Sequence, residues 1–163
     1  MAAFAIPVDP DGEVVPHDHP DLVGEALMLR GVDPQYHVVP DANRGCRRLS
    51  SALFKNDPKR QGYLSFNAAK CITDLGETGS AYMGDRGWIG VVCMPVEKFR
   101  TFDPATGAAE RWKIGMVPLP DDTPPDPCHG AVWGKINDNR ANAIRRQVQW
   151  VVELPNVVLD ETQ

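Results

Sequence analysis

Asp126–Val152, DPCHGAVWGKINDNRANAIRRQVQWVV, is the stretch whose reading decides how the rest of the chain is assembled. Ala131, Val132 and Trp133 have strand character, bounded by Pro127 on one side and the Gly134-Lys135 pair on the other. Asn137 or Asp138 then serves as an N-cap, because a short polar side chain can accept a bond from an unpaired first-turn amide. A helix from Asn139 onward places Ile144, Val148 and Val151 on one stripe, flanked by Ala141 and Val152. Arg140, Arg145, Arg146 and Gln149 fall off that stripe. A helix start exposes free N–H groups and carries about half a positive charge. Lys135, Asn137 and Arg140 therefore mark an anion seat. This is not a phosphate-binding P-loop, since Gly130 to Gly134 encloses three residues and Lys135 is followed by Ile136 instead of Ser or Thr. The competing reading is a helix docked on a sheet, its arginines kept for solubility.

A chain of 163 residues, 42% of them hydrophobic, is long enough for one cored domain over 1–163. Fifteen prolines and fourteen glycines argue for turns and short elements, not a helical bundle. A net charge of -5 argues against a nucleic-acid coat or a membrane-surface protein. Positive charge is nevertheless concentrated. Arg44, Arg47, Arg48, Lys55, Lys59 and Arg60 face only Asp57 in their window, which carries +5 against -10 for the remainder. An anionic ligand needs such an island, although a solvated basic loop would look the same.

Cys46, Cys71, Cys93 and Cys128 form no C-x-x-C pair, so neither a structural zinc nor a redox pair is expected. The opening MAAFAIPVDPDG has no basic segment and no sustained apolar run, and no stretch approaches the roughly 20 apolar residues that span a bilayer. Free thiols in a reducing cytoplasm follow as the expectation, with no membrane partner, no cofactor and no metal.

Taken in order, residues 1–19 read as a proline-rich arm ending in His17-Asp18-His19, whose alternate histidines lack a third metal ligand nearby. Pro20 opens a short helix with Leu22, Ala26 and Leu29 inward, closed by Gly31. Strands are expected near 36, 63, 88, 111 and 130, the apolar WIGVVCM run at 88–94 lying at the sheet centre. Helices are expected near 21, 68 and 139, with Asn67 capping the second and a further short turn at 49–54. Residues 76–87 read as loop, 103–107 as a hairpin-like turn, and 119–128, with five prolines from 118 to 127, as a connection. The sum is an α+β domain: one mixed or antiparallel sheet of about five strands, with about three helices mainly on one face.

Three groups carry chemistry. Arg44, Arg47, Arg48, Ser50 and Ser51 match phosphate oxygens; Ser65 with Asn67 adds polar groups on a strand; His129 with Lys135 offers acid–base and cationic groups. A metal-independent phosphodiester or nucleotide-transfer site needs a base, an acid and a cation, which His129, Lys135 and Arg47 would supply. One reading is therefore a protein that binds or acts on a phosphorylated ligand, a nucleotide or RNA. The other is a non-catalytic adaptor or inhibitor facing a protein partner, and whether the chain is an enzyme stays open between them.

The blocks NRGCRRLSSALF (43–54), YLSFN (63–67) and PCHGAVWGK (127–135) resemble an uncharacterised family of small bacterial proteins with Arg-x-Ser-Ser-x-Phe, Leu-Ser and His-Ala-x-Val-x-Gly-Lys motifs. The resemblance covers about 40–152, and Gly130 stands where that pattern has alanine. It implies that the three blocks work together and brings no activity with it. A looser likeness to compact bacterial toxin enzymes is one of size and residue types.

Overall fold

The computed structural model describes residues 4–56, 62–100 and 112–159. Its strands are β1 (Leu27–Val32), β2 (Val38–Asp41), β3 (Cys46–Leu49), β4 (Leu64–Ala68), β5 (Gly90–Pro95), β6 (Lys113–Met116), β7 (His129–Trp133), β8 (Gln149–Val152) and β9 (Val157–Val158). Between them run α1 (Pro34–His37), α2 (Ala69–Asp74), α3 (Gly79–Asp85), α4 (Val96–Arg100) and α5 (Asp138–Arg145), with a 3-10 turn at Ser51–Phe54. The architecture is α+β. Six strands form an antiparallel sheet in the order β6-β7-β4-β1-β5-β8, and β2-β3-β9 form a second, smaller sheet. The described residues thus hold two sheets and more strands than sequence patterning predicts.

Both faces of the large sheet are covered, which corrects the expectation of helices mainly on one side. On one face Met28, Val32, Phe66, Val92 and Val132 pack with Leu53, Phe54, Phe99 and the α5 residues Ala141 and Ile144. On the other, Leu29 and Val91 meet Ile72 of α2 and Tyr82 and Met83 of α3. The two central places belong to β4 and β1, and the apolar β5 lies next to an edge.

Several local corrections have plain causes. The helix expected after Pro20 does not form, because Gly24 sits at φ +56 and Leu27–Val32 pairs residue for residue with β5. Sheet pairing overrides a weak helical stripe there. The strand expected from Tyr36 to Val39 begins only at Val38, as β2, and continues through Pro40 to Asp41; Tyr36 and His37 belong to α1, which Asp33 caps through Gln35 N–H and Pro34 opens. Residues 76–87 contain α3, started by Thr78, whose hydroxyl accepts from Ala81 N–H. The last helix stops at Arg145, and the β-branched residues beyond it form β8 instead of extending the stripe. Asn67 does not cap α2; that place is taken by Ala68, with no side-chain bond. The turn expected at 103–107 lies outside the described residues.

The N-terminal arm guards the β6 edge. Asp18 Oδ1 accepts from Ile114 N–H at 3.1 Å and from Arg100 Nη2 at 2.8 Å, while His17 Nε2 accepts from Met116 N–H at 3.3 Å. The His17 ring lies over Gly115, where a Cβ would come within 2.5 Å of Nε2. Polar groups of an edge strand are thereby paired with side chains, which blunts the edge against other chains. No helix among the described residues is long and apolar enough to cross a membrane.

Two of the four cysteines are bonded to each other: Cys71 in α2 and Cys128 before β7 form a disulfide, with Cα atoms 5.4 Å apart. This corrects the all-thiol reading, and the fold is the reason, since it brings residues 57 apart in sequence to one spot. Cys46 and Cys93 are free.

Candidate functional site

Strand β1 pairs with β5 through all six of its residues but with β4 at only two positions, Met28↔Ala68 and Leu29↔Asn67. Past Leu29 the two central strands part. Arg30 enters the gap, donating from Nε to Leu53 O at 2.9 Å and from Nη1 to Ser65 O at 2.8 Å. Ser65 is on β4 and Leu53 in the 3-10 turn, so the charged guanidinium satisfies one strand carbonyl beside the gap and ties the strand to the turn. The parting opens into a cleft of about 860 Å³. Leu29, Gly31, Ser65, Phe66 and Asn67 contribute from the strands; Asp33, Tyr36, His37, Lys55 and Asn56 come from the α1 and 3-10 region. Asp85 ends α3 and Arg86 and Trp88 follow it, while Asp122, Asp126 and His129 come from the proline-rich segment and the start of β7.

One wall is held by a buried carboxylate. Asp126, 7% exposed, accepts from Asn67 Nδ2 at 2.8 and 3.0 Å and from the Tyr82 hydroxyl at 2.6 Å. Arg86 Nε lies 3.8 Å from the same carboxylate, and its guanidinium carbon sits 3.4 Å over the Tyr82 ring. Arg86 also donates to Tyr82 O and to Pro125 O, so its charge is committed to the wall. Cys128 N–H donates to the Tyr82 hydroxyl at 3.3 Å. Burial, and then the bond to Asp126, push the Tyr82 phenol up to about 12. That hydroxyl stays protonated and acts as a fixed donor.

The two histidines differ in what they offer. His129 Nδ1 lies 2.9 Å from Val117 O, and a carbonyl only accepts, so a ring hydrogen is on Nδ1 and, in the neutral ring, the lone pair is on Nε2. His37 is the reverse: its Nδ1 accepts from Asp33 N–H at 2.9 Å, which leaves the hydrogen on Nε2. Burial, and then the nearby Arg30, push His37 from 6.5 down to about 4. The unfolded chain takes up this proton near pH 6.5 and the folded chain only near 4, so the unfolded state binds more protons in between. Stability from the neutral ring is complete above pH 6.5 and drains away as pH falls toward 4. Urea midpoints measured across that window are expected to fall in the wild type and to fall less in His37→Gln; equal slopes would refute this.

Ser65 Oγ is buried with no hydrogen-bond partner among the described residues, in a side chain that lines the cleft. Such an atom is a natural contact for an occupant.

Of the site residues expected from sequence, Ser65 and His129 line the cleft, and Arg44, Arg47, Arg48, Ser50, Ser51, Lys135, Asn137 and Arg140 do not. Arg44 is exposed in the β2–β3 turn, and Arg47 and Arg48 lie on β3, where Arg48 Nε is 3.8 Å from Asp41. Ser50 Oγ caps the 3-10 turn through Ala52 N–H at 3.1 Å, and Ser51 begins that turn. Lys135 is exposed ahead of α5; Asn137 caps that helix, accepting from Arg140 N–H at 3.0 Å, and Arg140 lies 5.9 Å from the Trp112 ring. Of the first basic region Lys55 alone among the described residues lines this cleft, Lys59 and Arg60 lying outside the described residues, and Lys135 and Arg140 of the second region do not line it.

Asn56, two residues past the first sequence block, ties that segment to the end of the third. Its Nδ2 donates to Gly134 O at 2.8 Å, and its Oδ1 accepts from Ile136 N–H at 3.1 Å. Gly130 is required where it stands: a Cβ there would lie 2.8 Å from Gly115 O and 2.5 Å from Phe66 Cζ. Sequence reasoning missed Arg30, Arg86, Trp88 and Asp126. Only Arg30 left a signal, a lone charge within the apolar run LMLRGV. Comparison with known proteins gave no match to a family model, to a curated protein or to a solved structure.

Proposed function

We propose that the cleft between β1 and β4 binds a phosphorylated ligand, a class that takes in nucleotides and RNA. The observation that carries this is the placement of Arg30 at the point where the central strands part, with Lys55 lining the same cavity. A guanidinium already oriented by two carbonyls is a rigid partner for an oxyanion, and little entropy is lost on binding. His37, neutral and with its hydrogen on Nε2, adds a donor, as does the Ser65 hydroxyl. Asp33, Asp85 and Asp122 supply acceptors for hydroxyl or amino groups on the rest of the ligand. Metal-independent phosphodiester or nucleotide-transfer chemistry requires a proton acceptor and a cation. Among the residues lining the cleft, His129 would act as the acceptor and Arg30 as the cation.

Thermal unfolding with inorganic phosphate, pyrophosphate, ribose 5-phosphate and the common nucleotides tests the reading. A ligand at 100 times its Kd adds about 2.7 kcal/mol of stability. Lys55, which pairs with Asp138 at the surface, is the residue to remove, because both partners are well exposed and the pair contributes little to folding. Lys55→Ala is expected to weaken phosphate-ligand affinity about five- to tenfold with an unchanged Tm. If no phosphate compound moves the unfolding temperature, the reading fails.

A further inference from the structure

Resting on that ligand reading, we propose that the occupant carries a planar base stacked on Trp88, which makes it a nucleoside phosphate in preference to a bare sugar phosphate or inorganic phosphate. The argument starts from Gly31, in the half of β1 that has parted from β4. A Cβ built at Gly31 would come within 2.0 Å of Trp88 Cδ2 and 2.4 Å of both Cε2 and Cε3. Cδ2 is bonded to three atoms in the indole plane, so a point nearest to it and equally close to Cε2 and Cε3 lies over the ring face. The indole therefore rests flat on the β1 backbone, and glycine is what admits it. Trp88 is partly buried, packs beside the cluster of Leu29, Ile72 and Tyr82, and lines the cleft, so the part of the indole that the fold leaves uncovered meets the cavity. Tyr36, 66% exposed, gives the same cavity an aromatic side chain with little of its surface used by the fold.

An aromatic platform in a cleft that also holds Arg30 and Lys55 matches a ligand with a π-face at one end and a phosphate at the other. A sugar phosphate or inorganic phosphate leaves the platform unused. Stacking of a base on an aromatic side chain contributes on the order of tenfold or more in affinity.

The experiment uses the full chain, tryptophan fluorescence and calorimetry, with AMP, GMP, CMP and UMP set against ribose 5-phosphate and pyrophosphate. At least one mononucleotide is expected to bind about tenfold more tightly than ribose 5-phosphate and to quench fluorescence. Trp88→Leu should abolish both the quench and the preference, and Trp88→Phe should keep most of the preference; the Phe variant and the wild-type series decide the matter if the Leu variant does not fold. Equal affinity for nucleotides and ribose 5-phosphate, or a preference that survives Trp88→Leu, overturns the stacked base and leaves the phosphate reading standing. Binding of none of the six compounds defeats both.

Discussion

Asp126→Ala is expected to cost about 3–5 kcal/mol of stability, the range for removing one partner from a buried, hydrogen-bonded charge network. The carboxylate is the shared acceptor for Asn67 of β4 and Tyr82 of α3, and it is the counter-charge 3.8 Å from Nε of Arg86, the residue after α3. Without it the Asn67 amide and the Tyr82 hydroxyl lose their acceptor, and a guanidinium half-stacked on Tyr82 loses its counter-charge. Asp126→Asn keeps the shape but places a second amide donor against Asn67, and about 2–3 kcal/mol is expected for that variant. Urea denaturation gives the size of the loss. A phenol titration gives its cause, because Tyr82 should move down from about 12 when the Asp126 carboxylate is gone, leaving burial as the remaining upward push. A loss under about 1 kcal/mol for Asp126→Ala would mean that the network does not hold this wall.

The importance of Asp126 is invisible in sequence. It sits among prolines and two other aspartates in a segment that reads only as a connection, and its partners are 40 to 59 residues away. The local elements fare better. Strand β7, the cap at Asn137, the 3-10 turn at Ser51–Phe54 and helix α2 each follow from alternation, a capping side chain or a closing glycine within a few residues. What fails is whatever a distant partner decides. LMLRGV becomes β1 because β5 pairs with it along its length, and QWVV becomes β8 because the other edge of β5 is open to it. The candidate site fails for the same reason, more severely. The basic run at 44–60 looks like a ligand seat because charge density can be counted along the chain. The cleft instead depends on two strands diverging after Leu29 and Asn67, a property of register that composition does not record. Ser65 and His129 were legible because a hydroxyl and an imidazole within apolar strands stand out; Trp88 was not, since an aromatic residue beside an apolar strand is ordinarily packing.

Breaking the Cys71–Cys128 bridge is expected to have the other large effect, about 4 kcal/mol by chain entropy for a loop of this length and commonly 2–4 kcal/mol in practice. Cys128 is fully buried, so Cys71→Ala/Cys128→Ala is the suitable pair of changes; serine at 128 would add a buried hydroxyl to the cost. The consequence should be local before it is global. Cys128 lies between Asp126 and His129, both in the cleft lining, and its own N–H donates to the Tyr82 hydroxyl. Releasing it frees one end of the segment from Leu119 to His129 that forms a wall of the cavity. Hydrogen exchange should therefore quicken over 117–129 in the reduced protein while β1 and β5, paired along six residues, stay protected. Thiol counting checks the premise: in denaturant without reductant, two of the four cysteines should alkylate, and all four after reduction. A reducing compartment opens such a bridge and an oxidising one keeps it. If the cavity wall depends on it, the same chain should bind its ligand more weakly in the first setting than in the second, and equal affinity with and without the bridge would show that the wall is held by Asp126 alone.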